Sequence, residues 1–253
     1  MTAPVPPPLR PLSLGEVLDV SFGLYRSMFF SLVVVAVAVH ILPTLIGIYL
    51  ETSGQMFSLW PLTIGYLFLV AILSSLGVAA TTEIVSEAYL GRRISAAVAL
   101  TRAVPLLLRL IVISLLTWLL VGIGFILLLV PGIILLSGLL LSSVAMVVER
   151  PRRATAAMAR SWELTLGFRG KVFGALLLAF LLLMVPVITI AAIWGTLEPG
   201  RVTGSVMAEV ITAVIQVLIY PYVYTVFTLL YYDLRIRKEG FDLELLAAQS
   251  LPA

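Results

Sequence analysis

Charge is scarce in this chain. Only 11% of its 253 residues are Asp, Glu, Lys or Arg, while 61% are hydrophobic. A soluble domain carries roughly 25% charge because its surface must face water, so most of the exterior here is expected to face lipid. Cysteine is absent, which excludes structural disulfides and thiolate metal sites and leaves the redox compartment unreadable. There is one histidine, His40. Metal-assisted hydrolysis needs clustered carboxylates or histidines with an acid or base beside them, and no such cluster or nucleophile–base pair can be named. The expectation is a non-enzyme with no catalytic residue, metal or cofactor. No small-residue cleavage site follows the first apolar run, so no cleaved signal peptide is expected.

What is present is apolar sequence, with a mean hydropathy of +1.15. Five uncharged stretches stand out: Met28–Leu50, Met56–Ala80, Leu110–Val148, Val172–Leu197 and Val210–Tyr232. Four have the length of a single membrane span, since roughly 20 helical residues cross the hydrocarbon core. Leu110–Val148 as one helix would reach about 58 Å at about 1.5 Å per residue, nearly twice the core. Gly122, Gly124 and Pro131-Gly132 interrupt it, and proline suits the opening of a new helix. The stretch therefore divides into two spans with a turn in 122–132. That outer turn carries no charge, so neighbours should cover it, or it should sit shallowly.

The basic residues test the division independently. Segments on the cytoplasmic side of spans carry excess Lys and Arg. With six spans and both termini inside, only Arg201 of the 16 basic residues falls outside. A single crossing over 110–148 would instead put the Arg150–Lys171 cluster outside. The expected fold is an all-α polytopic membrane protein with six transmembrane helices in three hairpins, spanning about 28–50, 57–80, 105–123, 131–148, 172–195 and 207–232. Residues 13–245 form one membrane domain; 1–12, rich in proline, and 246–253 are expected to be loose tails.

Each hairpin follows a similar passage. Arg10-Pro-Leu-Ser13, Arg92-Arg-Ile-Ser95 and Arg152-Arg-Ala-Thr155 share Arg-x-x-Ser/Thr, and a basic residue recurs at Arg26, Arg109 and Arg169. Ser13 with Glu16 has the spacing of a capping box. Leu14, Val17, Leu18, Phe22, Tyr25 and Phe29 then fall on one helical face, as do Met158, Trp162 and Leu166 later. The pattern predicts a threefold unit in which a cytoplasmic amphipathic helix, lying in the membrane interface, precedes each hairpin.

Four stretches carry a family resemblance: Pro11-Leu-Ser-Leu-Gly-Glu-Val-Leu-Asp19, Val130-Pro-Gly132, Arg160-Ser-Trp-Glu-Leu-Thr165 and Tyr231-Tyr-Asp-Leu-Arg-Ile-Arg-Lys-Glu-Gly-Phe-Asp-Leu-Glu244. Together they resemble the membrane domain of glycerophosphoryl diester phosphodiesterase proteins and the related YciC-type membrane proteins. The resemblance implies a six-helix membrane module without activity of its own. In the proteins that carry the phosphodiesterase reaction, a separate soluble domain supplies it, and no such domain remains here once the spans are assigned.

The candidate functional residues fall into two groups. Glu16, Asp19, Arg26, Arg160, Trp162, Asp233, Arg235 and Arg237 form a candidate cytoplasmic interface. The block from Asp233 to Glu239 reads either as a docking surface for protein or anionic headgroups, or as an anchor pairing with Asp19, Glu16 or the helix of Arg160. His40, Glu209 and Gln216 are the candidate intramembrane polar residues. His40 reads as a neutral imidazole bonded to a neighbouring helix. Glu83 and Glu87, near Arg92 and Arg93, read as a solvated salt-bridged face. Trp60, Trp194, Tyr220, Tyr231 and Tyr232 suit an interfacial belt, and Pro43, Pro186 and Pro221 suit static kinks. A pI of about 9.3 with arginines beside apolar runs points to anionic lipid headgroups, with a protein partner open and nucleic acid not expected. The functional expectation is a module in the plasma or inner membrane that organises lipids or partners at the cytoplasmic face. The alternative is a transporter or channel for an apolar or lipid-like substrate.

Overall fold

A computed structural model describes residues 10–52, 60–197, 206–241 and 243, and every regular element among them is helical. Six helical segments are long and apolar enough to cross a membrane. The chain is an all-α polytopic membrane protein. A short helix precedes each pair of long ones. The first unit is α1 (Leu14–Ser27), α2 (Phe29–Thr52) and α3 (Trp60–Tyr89). The second is α4 (Ala96–Ala103), then a 3-10 turn at Val104–Leu106, α5 (Leu107–Leu127) and a split helix, α6 (Leu129–Leu139) with α7 (Ser142–Glu149). The third is α8 (Ala154–Thr165), α9 (Arg169–Leu197) and α10 (Val206–Glu239).

The starts of the short helices show why the repeated phrase matters, and where it fails. Ser13 Oγ accepts from the Glu16 amide at 3.3 Å while the Glu16 carboxylate accepts from the Ser13 amide at 2.7 Å, closing the box at α1. Ser95 Oγ accepts from the Val98 amide at 3.3 Å at α4, but without an acid at the third position the box is half-made. In α8 the cap position is Arg153, with no side-chain bond, and Thr155 lies inside the helix. Such a cap contributes about 1 kcal/mol, so the third copy starts without that help.

The buried face of α1 is rotated from the expected one. Val17, Ser21, Leu24 and Tyr25 turn inward, and Phe22 is exposed, its ring edge-on to Tyr222. The reason is that α1 packs on the protein, chiefly on α10, so protein contacts set its orientation.

The packed core lies at the arginine-bearing end. It is built from the last turns of α3, from α7 and from the second half of α10, where Ala79–Val85, Val144–Val147 and Val226–Leu234 are buried. This core explains why α3 and α10 run to Tyr89 and Glu239, past the expected ends at 80 and 232. It also removes two residues from the interfacial belt. Tyr231 and Tyr232 are buried, with Tyr232 stacked on Tyr89 at 4.5 Å between centroids. α2, α9 and α10 continue through Pro43, Pro186 and Pro221.

The second hairpin turns at one extended residue, Leu128 (φ −167°, ψ 158°). A Cβ on Gly124 would meet Gly132 backbone and Leu135, and one on Gly132 would meet the Phe125 ring, so the two glycines let α5 and α6 close on each other. Ile126 to Val130 remain exposed. The expected cover from neighbours is therefore not there among the described residues. None is required, because the Leu128 amide still reaches Gly124 O at 3.0 Å and the Gly132 amide reaches Leu128 O at 3.3 Å.

Candidate functional site

Ion pairs gather where the three units meet, and each has a carboxylate from the second helix of one hairpin. From α3, Glu87 binds Arg92 at 2.5 Å and Arg102 of α4 at 2.8 Å, while Glu83 binds Arg150 at 2.5 Å. From α7, Glu149 binds Arg160 of α8 at 2.8 Å and accepts the Tyr231 hydroxyl. From α10, Asp233 accepts the Leu12 amide at 2.7 Å, just before α1. The order is cyclic: unit one clasps unit two, unit two clasps unit three, and unit three returns to the start of unit one.

The Asp233 clasp is the most enclosed. Its side chain is fully buried, and Lys171 (2.5 Å) and Arg237 (3.0 Å) neutralise it. Both cations also donate to Leu12 O, each at 2.6 Å. Leu12 therefore has both its backbone groups satisfied by side chains. Of the stretch 1–12 expected to be loose, Leu12 is held; residues 1–9, like 244–253, lie outside the described ones.

Most of the candidate interface is consumed in this way. Arg160 joins Glu149 to Glu239, and the hydrogen bonds it donates to Glu239 hold its guanidinium well above its ordinary pKa. Arg235 pairs with Glu239 at 3.1 Å and lies 4.0 Å over Phe241. Glu16 pairs with Arg10 at 2.5 Å, and that bond, with the Ser13 amide, lowers its carboxyl to about 2. Trp162 packs on Gly138, where any Cβ would strike its ring, and lies 4.0 Å under Arg169. Arg169 leaves two guanidinium nitrogens, Nε and Nη2, buried without an acceptor among the described residues. Asp19 and Arg26 alone among the interface candidates stand exposed with no ion pair to a described residue, Arg26 lying 5.9 Å over its own Phe22. Of the two readings of the Asp233–Glu239 block, the anchor describes its contacts, and its partner is the Arg160 helix together with Leu12 and Lys171.

The Glu83–Glu87 face also differs from the expectation. Glu83 is buried, and its partner is Arg150, 67 positions away. Arg150 caps α7 in the left-handed region (φ 50°, ψ 47°), a conformation that favours glycine.

Ser161 was missed by sequence reasoning. The split between α6 and α7 frees backbone groups inside the protein. Ser161 Oγ accepts from the Leu141 amide at 3.2 Å and donates to Gly138 O at 2.8 Å. Thr165, one turn on, donates to the same carbonyl at 3.3 Å. Hydroxyls four residues apart on a helix facing a glycine were the available signal.

The intramembrane trio does not share the cleft at His40. His40 Nδ1 is bonded to Ala36 O of its own helix at 2.9 Å, not to a neighbouring helix as expected. Its ring stacks on Tyr220 of α10 at 5.3 Å. The small cleft it lines includes Ser74, Thr81 and Tyr224 but neither Glu209 nor Gln216. Glu209 lies eleven residues before Tyr220 on α10, about 16 Å along the axis at about 1.5 Å per residue.

A larger groove of about 680 Å³ opens between α3 and α5. Leu67, Phe68, Leu115 and Trp118 on its rim are exposed, so it opens on the apolar exterior. Ser74, Ser114 and Ser143 line it and make no side-chain hydrogen bond among the described residues. A cavity of about 310 Å³ adjoins it, where Thr117 Oγ1 is buried without a partner among the described residues. Ser75, which also lines the groove, bonds back to the carbonyl four residues earlier, as Ser137, Thr189 and Thr225 do elsewhere. Ser74, Ser114 and Ser143 keep that capacity unused among the described residues.

No group of three metal-capable side chains occurs among the described residues. Compared with protein-family models, curated proteins and solved structures, the chain finds no match.

Proposed function

We propose that this chain is a non-enzymatic membrane module that organises anionic lipids, or a membrane partner, at its arginine-rich end, and that this end is cytoplasmic. One observation carries the reading: the short helices and their arginines gather at a single end, where the ion pairs join them. A rim of positive charge beside a bilayer attracts anionic headgroups by about 1 kcal/mol per residue. The resemblance to the membrane domain of glycerophosphoryl diester phosphodiesterase and YciC-type proteins supports the same reading, since it implies a module without its own chemistry.

The test uses arginines outside the clasps. Charge reversal of Arg26, Arg152 and Arg153 to Glu should abolish the enrichment of anionic lipids in protein extracted with its native annulus, measured by mass spectrometry. Unchanged lipid and partner association would overturn the reading. Orientation has its own test, simplified by the absence of cysteine. A single Arg153→Cys should resist an impermeant thiol reagent in intact cells, and labelling from outside would reverse the topology.

The groove between α3 and α5 favours a second reading, handling of a lipid-like substrate. Proton relays and ion sites in transporters use charged groups near mid-membrane, whereas this groove offers hydroxyls. Reconstituted lipid flux that stops on changing Ser114 and Ser143 to Ala would place this reading first.

A further inference from the structure

The three unit contacts are not equivalent. The contact between units one and two is open, a cleft of about 510 Å³ among α3, α4, α7 and the end of α10. Arg92, Arg102 and Arg150 line it, with Glu83 and Glu87. In an ordinary exposed salt bridge, carboxylate and guanidinium share the surface. Here they are layered. The Glu83 and Glu87 side chains are only 8% and 15% exposed, against 64%, 42% and 51% for Arg92, Arg102 and Arg150. The negative charge lies behind and the positive charge in front.

The carboxylates orient the guanidiniums without using up their donors. Arg92 contributes Nε, Arg102 Nη1 and Arg150 Nη2 to them. The other nitrogens of each fork are left for an anion in the cleft. Arg235 also lines the cleft but pairs with Glu239, so three positive groups against two negative ones leave the cleft with surplus positive charge. Arg150 adds to the case, since it holds a left-handed backbone where glycine would be the easier residue, and its side chain points into this cleft. Behind them Tyr232 and Phe241 form an aromatic wall, stacked at 5.7 Å.

We infer that the cleft between the first and second units binds a phosphomonoester dianion, held by the forks of Arg92, Arg102 and Arg150. A phosphomonoester carries about −1.5 to −2 charge at neutral pH and three acceptor oxygens, which suits three converging guanidiniums. A phosphodiester headgroup, with one charge and two free oxygens, satisfies the site less well. The dianion belongs either to a phosphatidate-type lipid or to a soluble phosphate ester. The site deepens the reading of this end as a lipid-facing one, and rests on that reading only for the lipid source.

The test uses the full chain in nanodiscs of phosphatidylcholine doped with phosphatidate or with the same fraction of phosphatidylglycerol, with inorganic phosphate as the soluble probe. Phosphatidate should bind at least about tenfold more tightly than phosphatidylglycerol, the loss expected for one charge-assisted contact. Arg150→Gly should lower phosphatidate binding by about tenfold; glycine accepts that backbone, but the variant also removes the ion pair to buried Glu83, so binding is compared at a temperature where its thermal unfolding shows it folded. If Arg150→Gly does not fold, Arg92→Gln reads the same contact from a more exposed side chain. Arg152→Gln, outside the cleft, should lower binding of the two anionic lipids alike and leave the tenfold preference for phosphatidate in place. Competition by inorganic phosphate identifies the phosphate group as the recognised part, and phosphatidate binding without such competition assigns the site to the lipid. Equal binding of the two lipids, or no effect of the cleft variants, overturns the inference. In that case a preference for anionic over neutral lipid that survives in Arg150→Gly leaves the broader reading standing.

Discussion

Followed from Val206 to Glu239, α10 passes through two environments. Its first half has few buried residues, and Met207, Val210 and Val214 are exposed. Its second half is buried almost without interruption from Pro221 to Leu234. The same division runs through the other hairpins. α3 is buried from Ala79 to Val85 but exposed at Trp60, Leu67 and Phe68, and the far ends of α5 and α6 are exposed from Ile126 to Val130. The difference follows from what each end has available to hold it. Apolar helices gain little from leaving lipid for one another, since lipid tails are as apolar as leucine. Directional contacts therefore decide where the helices meet, and those contacts are at the arginine-bearing end.

The sharpest way to break this comparison is to remove the acid that closes the ring. Asp233→Asn leaves Lys171 and Arg237 close together at a buried site and weakens the bond to the Leu12 amide. Loss of one partner of a buried ion pair costs about 3–5 kcal/mol. The variant should unfold at clearly lower temperature in detergent, and its α1 should become accessible to protease. A loss below about 1 kcal/mol would mean that Asp233 is a peripheral charge and that the polar end is held by apolar packing.

Second in size is Ser161→Ala. The substitution keeps the helix-forming preference of α8 but leaves the Leu141 amide without its acceptor and Gly138 O with Thr165 as its remaining donor. An orphaned buried group costs about 1–3 kcal/mol. Ser161→Thr restores the hydroxyl and should recover part of the loss, which separates the hydrogen bond from a general effect of size. Equal stability of the alanine variant and the parent would show that the α6–α7 break needs no partner.

These clasps also mark the limit of what the sequence discloses. The six spans, the Leu128 turn within 122–132 and the short helix before each hairpin are legible, because apolar length, proline and arginine position each act locally. The partners are not. Leu12 and Asp233 are 221 positions apart, and nothing around either names the other. The face of α1 is misread at Phe22 because amphipathic spacing cannot tell a lipid-facing stripe from a protein-facing one. The sequence understates the ends of α3 and α10 because Glu83, Glu87, Asp233 and Arg235 look like exits from the membrane. Paired with one another's neighbours, they extend the helical core beyond the apolar run. His40 marks the opposite case: a lone ionisable group in a span draws attention, yet its own helix supplies a partner at Ala36.

A smaller effect is expected from acid at the start of α1. The Glu16 carboxyl is lowered from 4.5 to about 2 by its bond to Arg10 and by the Ser13 amide. Because the folded value is the lower one, its contribution is present in full above pH 4.5 and is lost as pH falls through about 2. Chemical-shift titration of the Glu16 carboxyl should therefore show a midpoint near 2, and the start of α1 should stay protected from amide exchange at pH 5. An ordinary midpoint near 4.5 would dissolve the Arg10–Glu16 pair and leave the cap to Ser13 alone.

The smallest expected effect belongs to the far end and is the most informative about it. Ile126 is 86% exposed beside the Leu128 turn, and lipid meets its side chain as readily as protein would. Ile126→Ala should change stability by no more than about 0.5 kcal/mol, as for substitutions outside packed or polar contacts. The measurement is thermal unfolding in nanodiscs, where the lipid is present. A loss above about 1 kcal/mol would require a protein surface against Ile126, since removing methyl groups from a lipid contact leaves no cavity behind. The far ends would then be half of an interface within the membrane, and the difference between the two ends would belong to the single chain and not to its assembled form.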